Sequence, residues 1–123
     1  MRIGQFRDAD TGTVAIPHVE VADTYWSRLQ GLQFRRQLAP GHALWIIPCS
    51  SIHTFFVRFD LDLLMLDREG RVLSIRRRLR PWRLAFTVSG THSIVELTAD
   101  SALDLEGQRL RFESNDASAR ENP

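Results

Sequence analysis

The sequence has no lysine, a single cysteine and no long apolar run. A lone cysteine, Cys49, cannot form an intramolecular disulfide, which excludes a disulfide scaffold and favours a reducing, cytoplasmic location. The longest apolar run, residues 43–47, is far shorter than the about 20 residues that a membrane-spanning helix needs. Polar residues also interrupt the first ten positions, so we expect neither a secretory signal nor a membrane span.

The basic residues are all arginine: 16 of them face 15 acidic residues, for a formal net charge of +1. Codon bias is the simpler explanation of this preference. Selection for bidentate contacts to carboxylates or phosphates is the alternative. Because dedicated nucleic-acid binders are usually strongly basic, the near-neutral charge argues against nucleic acid as a partner.

Length and composition indicate one globular domain. The chain has 123 residues, of which 43% are hydrophobic and 25% charged, an ordinary balance for a domain with its own core. We expect a loose N-terminal segment over residues 1–12, a folded domain over 13–113 and a disordered tail over 114–123. The tail is assigned on composition, since it offers almost nothing apolar to bury.

Short strands separated by turns dominate the folded part. Alternating or β-branched patterns predict strands at 13–16, 18–22, 43–47, 61–66, 71–76, 93–97 and 109–112. We expect Pro17 to end the first of them. Gly70 sits in a turn that makes residues 61–76 an antiparallel hairpin.

One helix is indicated. Thr24 is a good N-cap and Gly31 a good terminator, so residues 25–30 should be helical. A further turn of helix fits residues 99–105. Many short strands with a single short helix predict a mainly β fold, a sandwich or barrel.

Three stretches also resemble a known family. They are Arg28-x-x-Gly31-Leu32, then Ile52-His53-Thr54 with Asp62 behind it, then Val95-Glu96-Leu97 followed by Gly107. In this order and spacing they resemble the DUF192 family, a group of small β-rich domains without an established biochemical activity. The resemblance covers about residues 13–112 and implies a jelly-roll-like β-sandwich with a short helix. It implies no named chemistry and no cofactor.

Three charged residues of these motifs, Arg28, Asp62 and Glu96, lie within otherwise apolar segments. A buried charge needs a partner, so the favoured interpretation is a structural ion-pair network in which Arg28 docks the helix onto the strands. The alternative is an acid/base pair in which burial raises the pKa of one carboxyl. A neighbouring guanidinium would lower both carboxyl pKa values, which is unsuitable for a proton donor.

Cys49, His53, Thr54 and Asp62 form the most chemically suggestive cluster. Cys49 and His53 could act as nucleophile and base, or as two metal ligands with a third supplied by one of the remaining histidines, His18, His42 or His92. Their spacing matches no established motif, and free cysteine is often simply buried. A structural or ligand-orienting role is therefore preferred, and no metal site is assigned.

The basic run, residues 76–83, contains five arginines and Trp82. It could contact phosphates with Trp82 as a stacking platform, or it could be a solvated strand edge protected from aggregation, which is commoner.

The favoured hypothesis is a binding or accessory module for a small anionic ligand or a protein segment. We expect three of its candidate binding residues, His53, Thr54 and Trp82, to converge on one concave face with Cys49 packed beneath it. The other two, Arg80 and Arg83, would make the rim of that face positive. The alternative is a hydrolase-like enzyme that uses Cys49 or a His53/Asp62 pair.

Overall fold

The computed structural model describes residues 2–101 and 104–115. In these residues the elements are, in chain order, β1 (Ile3–Asp8), β2 (Val14–Ala22), α1 (Tyr25–Gln30), β3 (His42–Ile46), β4 (Ser51–His53), β5 (Leu61–Leu66), β6 (Val72–Leu79), β7 (Leu84–Phe86), β8 (Ser93–Thr98) and β9 (Leu110–Ser114). The predicted mainly β fold with one short helix is confirmed.

Seven strands form one sheet in the order β6, β5, β8, β3, β2, β1, β9, while β4 and β7 form a separate antiparallel pair. Within the large sheet β2 and β3 are parallel, and the other neighbours are antiparallel. An antiparallel bridge between Arg71 and Arg109 brings the starts of the two edge strands together. The finer arrangement, a jelly-roll-like sandwich or a barrel, stays a prediction.

Successive side chains of a strand point to opposite faces, and this alternation divides the core into two clusters. Leu64 and Val95 belong to a first core cluster, together with Phe6 of β1. Leu63 and Ile94 belong to a second core cluster, which the segments around α1, β4 and β7 cover. Because β5 is covered on both faces, all six of its residues are buried.

The predicted loose N-terminal segment is wrong, because residues 3–8 form β1 between β2 and β9. Phe6 explains the difference. Its ring is 1% exposed and meets Trp45 and Phe112 edge-on, at centroid distances of 5.1 and 6.0 Å. One buried aromatic ring, worth about 3–5 kcal/mol when a core Phe is truncated, is enough to hold a short strand whose other apolar side chain, Ile3, is exposed.

Pro17 does not end a strand as expected, since β2 continues through it to Ala22. Its position in the register gives the reason. Phe6 pairs with Ile16 and Gly4 with Val19, so Pro17 lies at a bulge where β2 has an extra residue. A proline at a bulge costs no ladder hydrogen bond, and the two predicted strands therefore form one.

Helix α1 and the hairpin of β5 and β6 are confirmed. The Thr24 hydroxyl accepts the Ser27 N–H at 3.2 Å and the Ser27 hydroxyl accepts the Thr24 N–H at 3.1 Å, a reciprocal cap that stabilises so short a helix.

Three further expectations concern the end of the chain and the membrane. The helical turn expected at 99–105 begins instead as a turn at 99–100, and residues 102 and 103 lie outside the described residues. Of the tail expected over residues 114–123, Ser114 is the last residue of β9. Residues 116–123 lie outside the described part. No helix among the described residues is long and apolar enough to cross a bilayer.

Candidate functional site: the Glu96 cleft

A cleft of about 470 Å³ opens between α1, the segment after β3, β4 and the adjoining face of β8. Its volume lies within the range typical of small-molecule sites. Part of its wall is apolar and comes from the second core cluster. The ionisable side chains that line it are Tyr25, Arg28, Cys49, His53, His92 and Glu96. We call it the Glu96 cleft.

Glu96 has the most unusual environment of these side chains. In the register of the sheet it pairs with Leu44 and Leu63, which places it on the face of the second core cluster, and it is only 2% exposed. Among the described residues no arginine lies within ion-pair distance of its carboxyl group and no donor hydrogen-bonds to it. Every polar side-chain atom that is fully buried in the described residues has a hydrogen-bond partner. Because the Glu96 carboxyl has none, it is not completely enclosed, and it opens into the cleft that it lines.

Burial determines the protonation state of this group. It raises the pKa of Glu96 to about 8, against a smaller lowering by the Arg35 guanidinium. At neutral pH the carboxyl is therefore mostly protonated, and it presents an O–H donor to the cleft.

Gly31 leaves the space above this carboxyl open. Its φ of +51° is a conformation that disfavours other residues, and a Cβ atom there would lie 3.3 Å from Glu96 Oε1. The same glycine thus ends α1 and leaves the Glu96 carboxyl open to the cleft.

Cys49 lines the cleft as a neutral thiol. Its Sγ donates to the Ser51 carbonyl at 3.0 Å, and its backbone N–H donates to the His92 carbonyl at 2.8 Å. Burial raises the pKa of the Cys49 thiol; the Ser51 hydrogen bond only partly offsets this. A nucleophilic cysteine needs a lowered pKa, so these surroundings do not favour the catalytic interpretation.

The His53/Asp62 pair of the hydrolase alternative does not form. His53 Nδ1 accepts the Phe55 N–H at 3.3 Å, so a neutral ring carries its proton on Nε2. Asp62 instead accepts the Arg78 backbone N–H at 2.9 Å and lies 4.0 Å from the Arg77 guanidinium.

The predicted network of Arg28, Asp62 and Glu96 is also wrong. Glu96 pairs with Leu63, whereas Asp62 pairs with Leu97, so the two carboxylates point to opposite faces of the sheet and no single guanidinium can reach both. Arg28 is half-buried and donates to two carbonyl oxygens, those of Thr24 at 3.3 Å and Pro48 at 3.5 Å.

The predicted ligand-binding residues do not converge on one face. His53 lines the Glu96 cleft, but Thr54 is fully buried and Trp82 lies on a separate cleft beside Phe34 and Phe56. Phe55 separates the two regions, with its ring centroid 5.0 Å from that of His53 and 5.6 Å from that of Trp82.

The histidines considered as a third metal ligand are dispersed. His92 lines the Glu96 cleft, whereas His18 and His42 stack on each other across β2 and β3, with ring centroids 4.1 Å apart. The described residues hold no group of three or more His, Cys, Asp or Glu side chains arranged to bind a metal ion.

These features define a small, mainly β domain with a partly apolar cleft and a neutral carboxyl group at its wall. The chain belongs to the DUF192 family, described as "Uncharacterized ACR, COG1430", whose sequence model matches residues 6–112.

Sequence relatives agree with this membership. The chain is 33% identical over 91 residues to a UPF0127 protein of Thermococcus sibiricus, an alignment that covers 69% of this chain and 57% of the relative. It is 34% identical over 84 residues to a UPF0127 protein of Pyrococcus abyssi, and that alignment covers 63% of this chain and 68% of the relative. The chain thus spans little more than half of the Thermococcus relative.

Two crystal structures are similar to this fold. A Sinorhizobium meliloti protein described as a "putative transcription regulator" superposes with a TM-score of 0.73 and 26% identity, covering 90% of this chain and 92% of that one. A Novosphingobium aromaticivorans protein of unknown function gives a TM-score of 0.69 at 17% identity, with 85% and 90% covered, and shows the fold alone.

Proposed function

We propose that this protein is a binding module whose Glu96 cleft takes a small carboxylate ligand with an apolar body. One observation carries the proposal: Glu96 is buried, faces the cleft and has no hydrogen-bond partner among the described residues. Because every fully buried polar atom among the described residues has a partner, the Glu96 carboxyl is met from the cleft, and a ligand acceptor there would replace water as its hydrogen-bond partner.

The chemistry of the cleft selects the ligand class. A protonated Glu96 donates a hydrogen bond, for which a carboxylate oxygen is a strong acceptor. Arg28 lines the same cleft and compensates the ligand's negative charge. The apolar wall, which includes Leu32, Ile46 and Val57, suits a hydrocarbon body.

Binding should depend on pH through the same carboxyl. Ionised Glu96 offers no donor and repels an anion, so affinity should fall as the pH rises past the Glu96 pKa of about 8. The linkage is reciprocal, and a bound carboxylate should raise that pKa further.

Three matched probes test the proposal: 4-phenylbutanoate, its amide and the corresponding amine. At pH 6.5 we expect the carboxylate to raise the melting temperature most, with about 2.7 kcal/mol of stabilisation at a hundredfold excess over its Kd. The amide should act more weakly, and the ammonium ion should have no effect.

Substitutions of Glu96 locate the effect. Glu96→Leu should abolish the response to the carboxylate, because it removes the donor while keeping a similar volume. Glu96→Gln should retain binding through its N–H donors but lose the pH dependence. The exposed Glu69→Gln, in the turn between β5 and β6, is the matched control. Equal responses to all three probes, or unchanged binding in Glu96→Leu, would contradict the proposal.

A further inference from the structure

Three exposed aromatic rings form a second surface, away from the Glu96 cleft. Phe34, Phe56 and Trp82 are 60%, 49% and 57% exposed. The ring of Phe56 stacks on Phe34 at a centroid distance of 5.2 Å and meets Trp82 edge-on at 4.8 Å. We call these residues the aromatic triad. With Arg58 and Pro81 they line a shallow cleft of about 430 Å³.

All three members of the aromatic triad have left-handed backbone conformations. Their φ angles are +67°, +63° and +62°, a region in which bulky side chains are strained and glycine or asparagine is much better tolerated. Folding alone would favour small residues at these exposed turn positions. Strain of this kind concentrates at binding sites, where the side chain is kept for its contacts with a partner.

Buried Thr54 holds the loop that carries Trp82. Its hydroxyl donates to the Arg80 carbonyl at 2.6 Å and accepts the Arg83 N–H at 2.9 Å, and its carbonyl accepts the Trp82 N–H at 3.0 Å. The Phe34 N–H likewise donates to the Phe56 carbonyl at 3.0 Å. The triad is therefore fixed in place before any partner arrives, which lowers the entropic cost of binding.

Exposed arginines lie in the same segments as the aromatic triad. Arg58 lines the shallow cleft itself, and Arg80 and Arg83 flank Trp82 in the chain. Within residues 2–101 and 104–115, none of these three guanidinium groups forms an ion pair, whereas Arg77 and Arg78 of the same basic run pair with aspartates. The apolar triad thus has one arginine in its cleft and two more in the loop that carries Trp82, none of them paired with a carboxylate among the described residues.

Aromatic residues and arginine are the side chains most enriched at protein-binding hot spots. Unpaired positive charge beside an apolar surface favours an acidic partner. We propose that the aromatic triad, with Arg58, Arg80 and Arg83, docks an acidic segment of a partner protein that inserts an apolar side chain into the shallow cleft. The net charge of +1 favours a protein over a nucleic acid. The proposal does not rest on the Glu96 cleft, with which the shallow cleft shares one lining residue, Val57.

An NMR titration of the full chain tests the proposal, with the indole N–H resonance of Trp82 as the reporter. The probe is the peptide acetyl-Glu-Asp-Leu-Phe-Glu-Asp-amide, and its counterpart with lysine in place of each acidic residue is the charge control. Trp26, which is 74% exposed on α1, is the internal control. We expect the acidic peptide to shift the Trp82 resonance but not that of Trp26, and the basic peptide to shift neither.

Trp82→Asn separates docking from folding. Asparagine tolerates a positive φ, so the variant should melt at or above the wild-type temperature. It should nevertheless bind the acidic peptide about thirtyfold more weakly, the effect typical of an aromatic hot spot. Trp26→Ala, which removes the exposed ring on α1, should bind the acidic peptide like the wild type. Arg80→Glu should weaken the acidic peptide and admit the basic one.

Four results would overturn the proposal. The first two are a Trp82 resonance that does not respond to millimolar acidic peptide and one that responds equally to the acidic and basic peptides. The third is stronger binding of an eight-residue oligothymidylate than of the acidic peptide. The fourth is an unchanged affinity of Trp82→Asn for the acidic peptide. A Trp82 shift that depends on protein concentration without peptide would instead identify a second copy of this chain as the occupant.

Discussion

The ionisation of Glu96 should make the stability of this protein fall as the pH rises. The pKa of the carboxyl is 4.5 in the absence of perturbation and about 8 in the folded protein. Below about pH 4.5 the group is protonated in both states and has no effect. Above it the unfolded chain releases the proton while the folded chain keeps it, so ionisation stabilises the unfolded state and the free energy of unfolding falls until the pH passes about 8.

The size of the effect follows from the difference between the two pKa values. The two pKa values differ by about 3.5 units, and each unit is worth about 1.4 kcal/mol. Ionisation of Glu96 therefore lowers the free energy of unfolding by on the order of 5 kcal/mol above pH 8 and by about 3 kcal/mol at pH 7. Glu96→Gln removes the ionisation and keeps the shape. We therefore expect this variant to be more stable than the wild type by several kcal/mol at pH 9, and by less than about 1 kcal/mol at pH 5.

Urea denaturation of both proteins from pH 5 to pH 9 measures the difference. The other ionisable groups are common to both chains, so their contributions cancel. Glu69→Gln changes an exposed carboxylate and should follow the wild-type profile throughout. A stability difference between Glu96→Gln and the wild type that stays constant from pH 5 to pH 9 would refute the reasoning, since it would mean that Glu96 ionises normally.

Three further predictions concern other parts of the fold. Thr54→Val should lower the free energy of unfolding by about 2–3 kcal/mol in urea, because it leaves the Arg80 carbonyl and the Arg83 N–H without their partner, and Thr54→Ser should restore it. Cys49 should react with iodoacetamide at pH 7.5 much more slowly in the folded protein than in urea, and equal rates would exclude a raised thiol pKa. Gly70→Ala should lower the melting temperature by several degrees, because the φ of Gly70 is +87° and a Cβ atom would collide with the backbone of β9.

Local patterns were enough to predict most of the elements. Alternation of apolar and polar residues located the strands, and Thr24 with Gly31 located α1, because these signals act within a few residues. They failed for β1, where a single apolar ring, Phe6, decides the outcome. They failed again at Pro17, whose tolerance depends on a bulge in the pairing with β1.

The candidate site could be predicted only in part, because its geometry depends on strand register. Asp62 and Glu96 were both recognisable as charges in apolar strands, but only the pairing of β5 with β8 shows that they face opposite sides of the sheet. His53 and Trp82 lie on different clefts because the Phe55 ring comes between them, and this arrangement too depends on tertiary packing. Such contacts join residues far apart in sequence, which no local pattern encodes.

The most direct test of the central claim is a carbon-13 NMR titration of the Glu96 carboxyl, with and without 4-phenylbutanoate. Assignment follows from the signal that disappears in Glu96→Gln. The free protein should show a carboxyl that titrates near pH 8, and the ligand should move that midpoint upwards, because it binds the protonated form. A midpoint near 4.5, or one that saturating ligand leaves unchanged, would contradict the assignment of Glu96 as the ligand-binding donor.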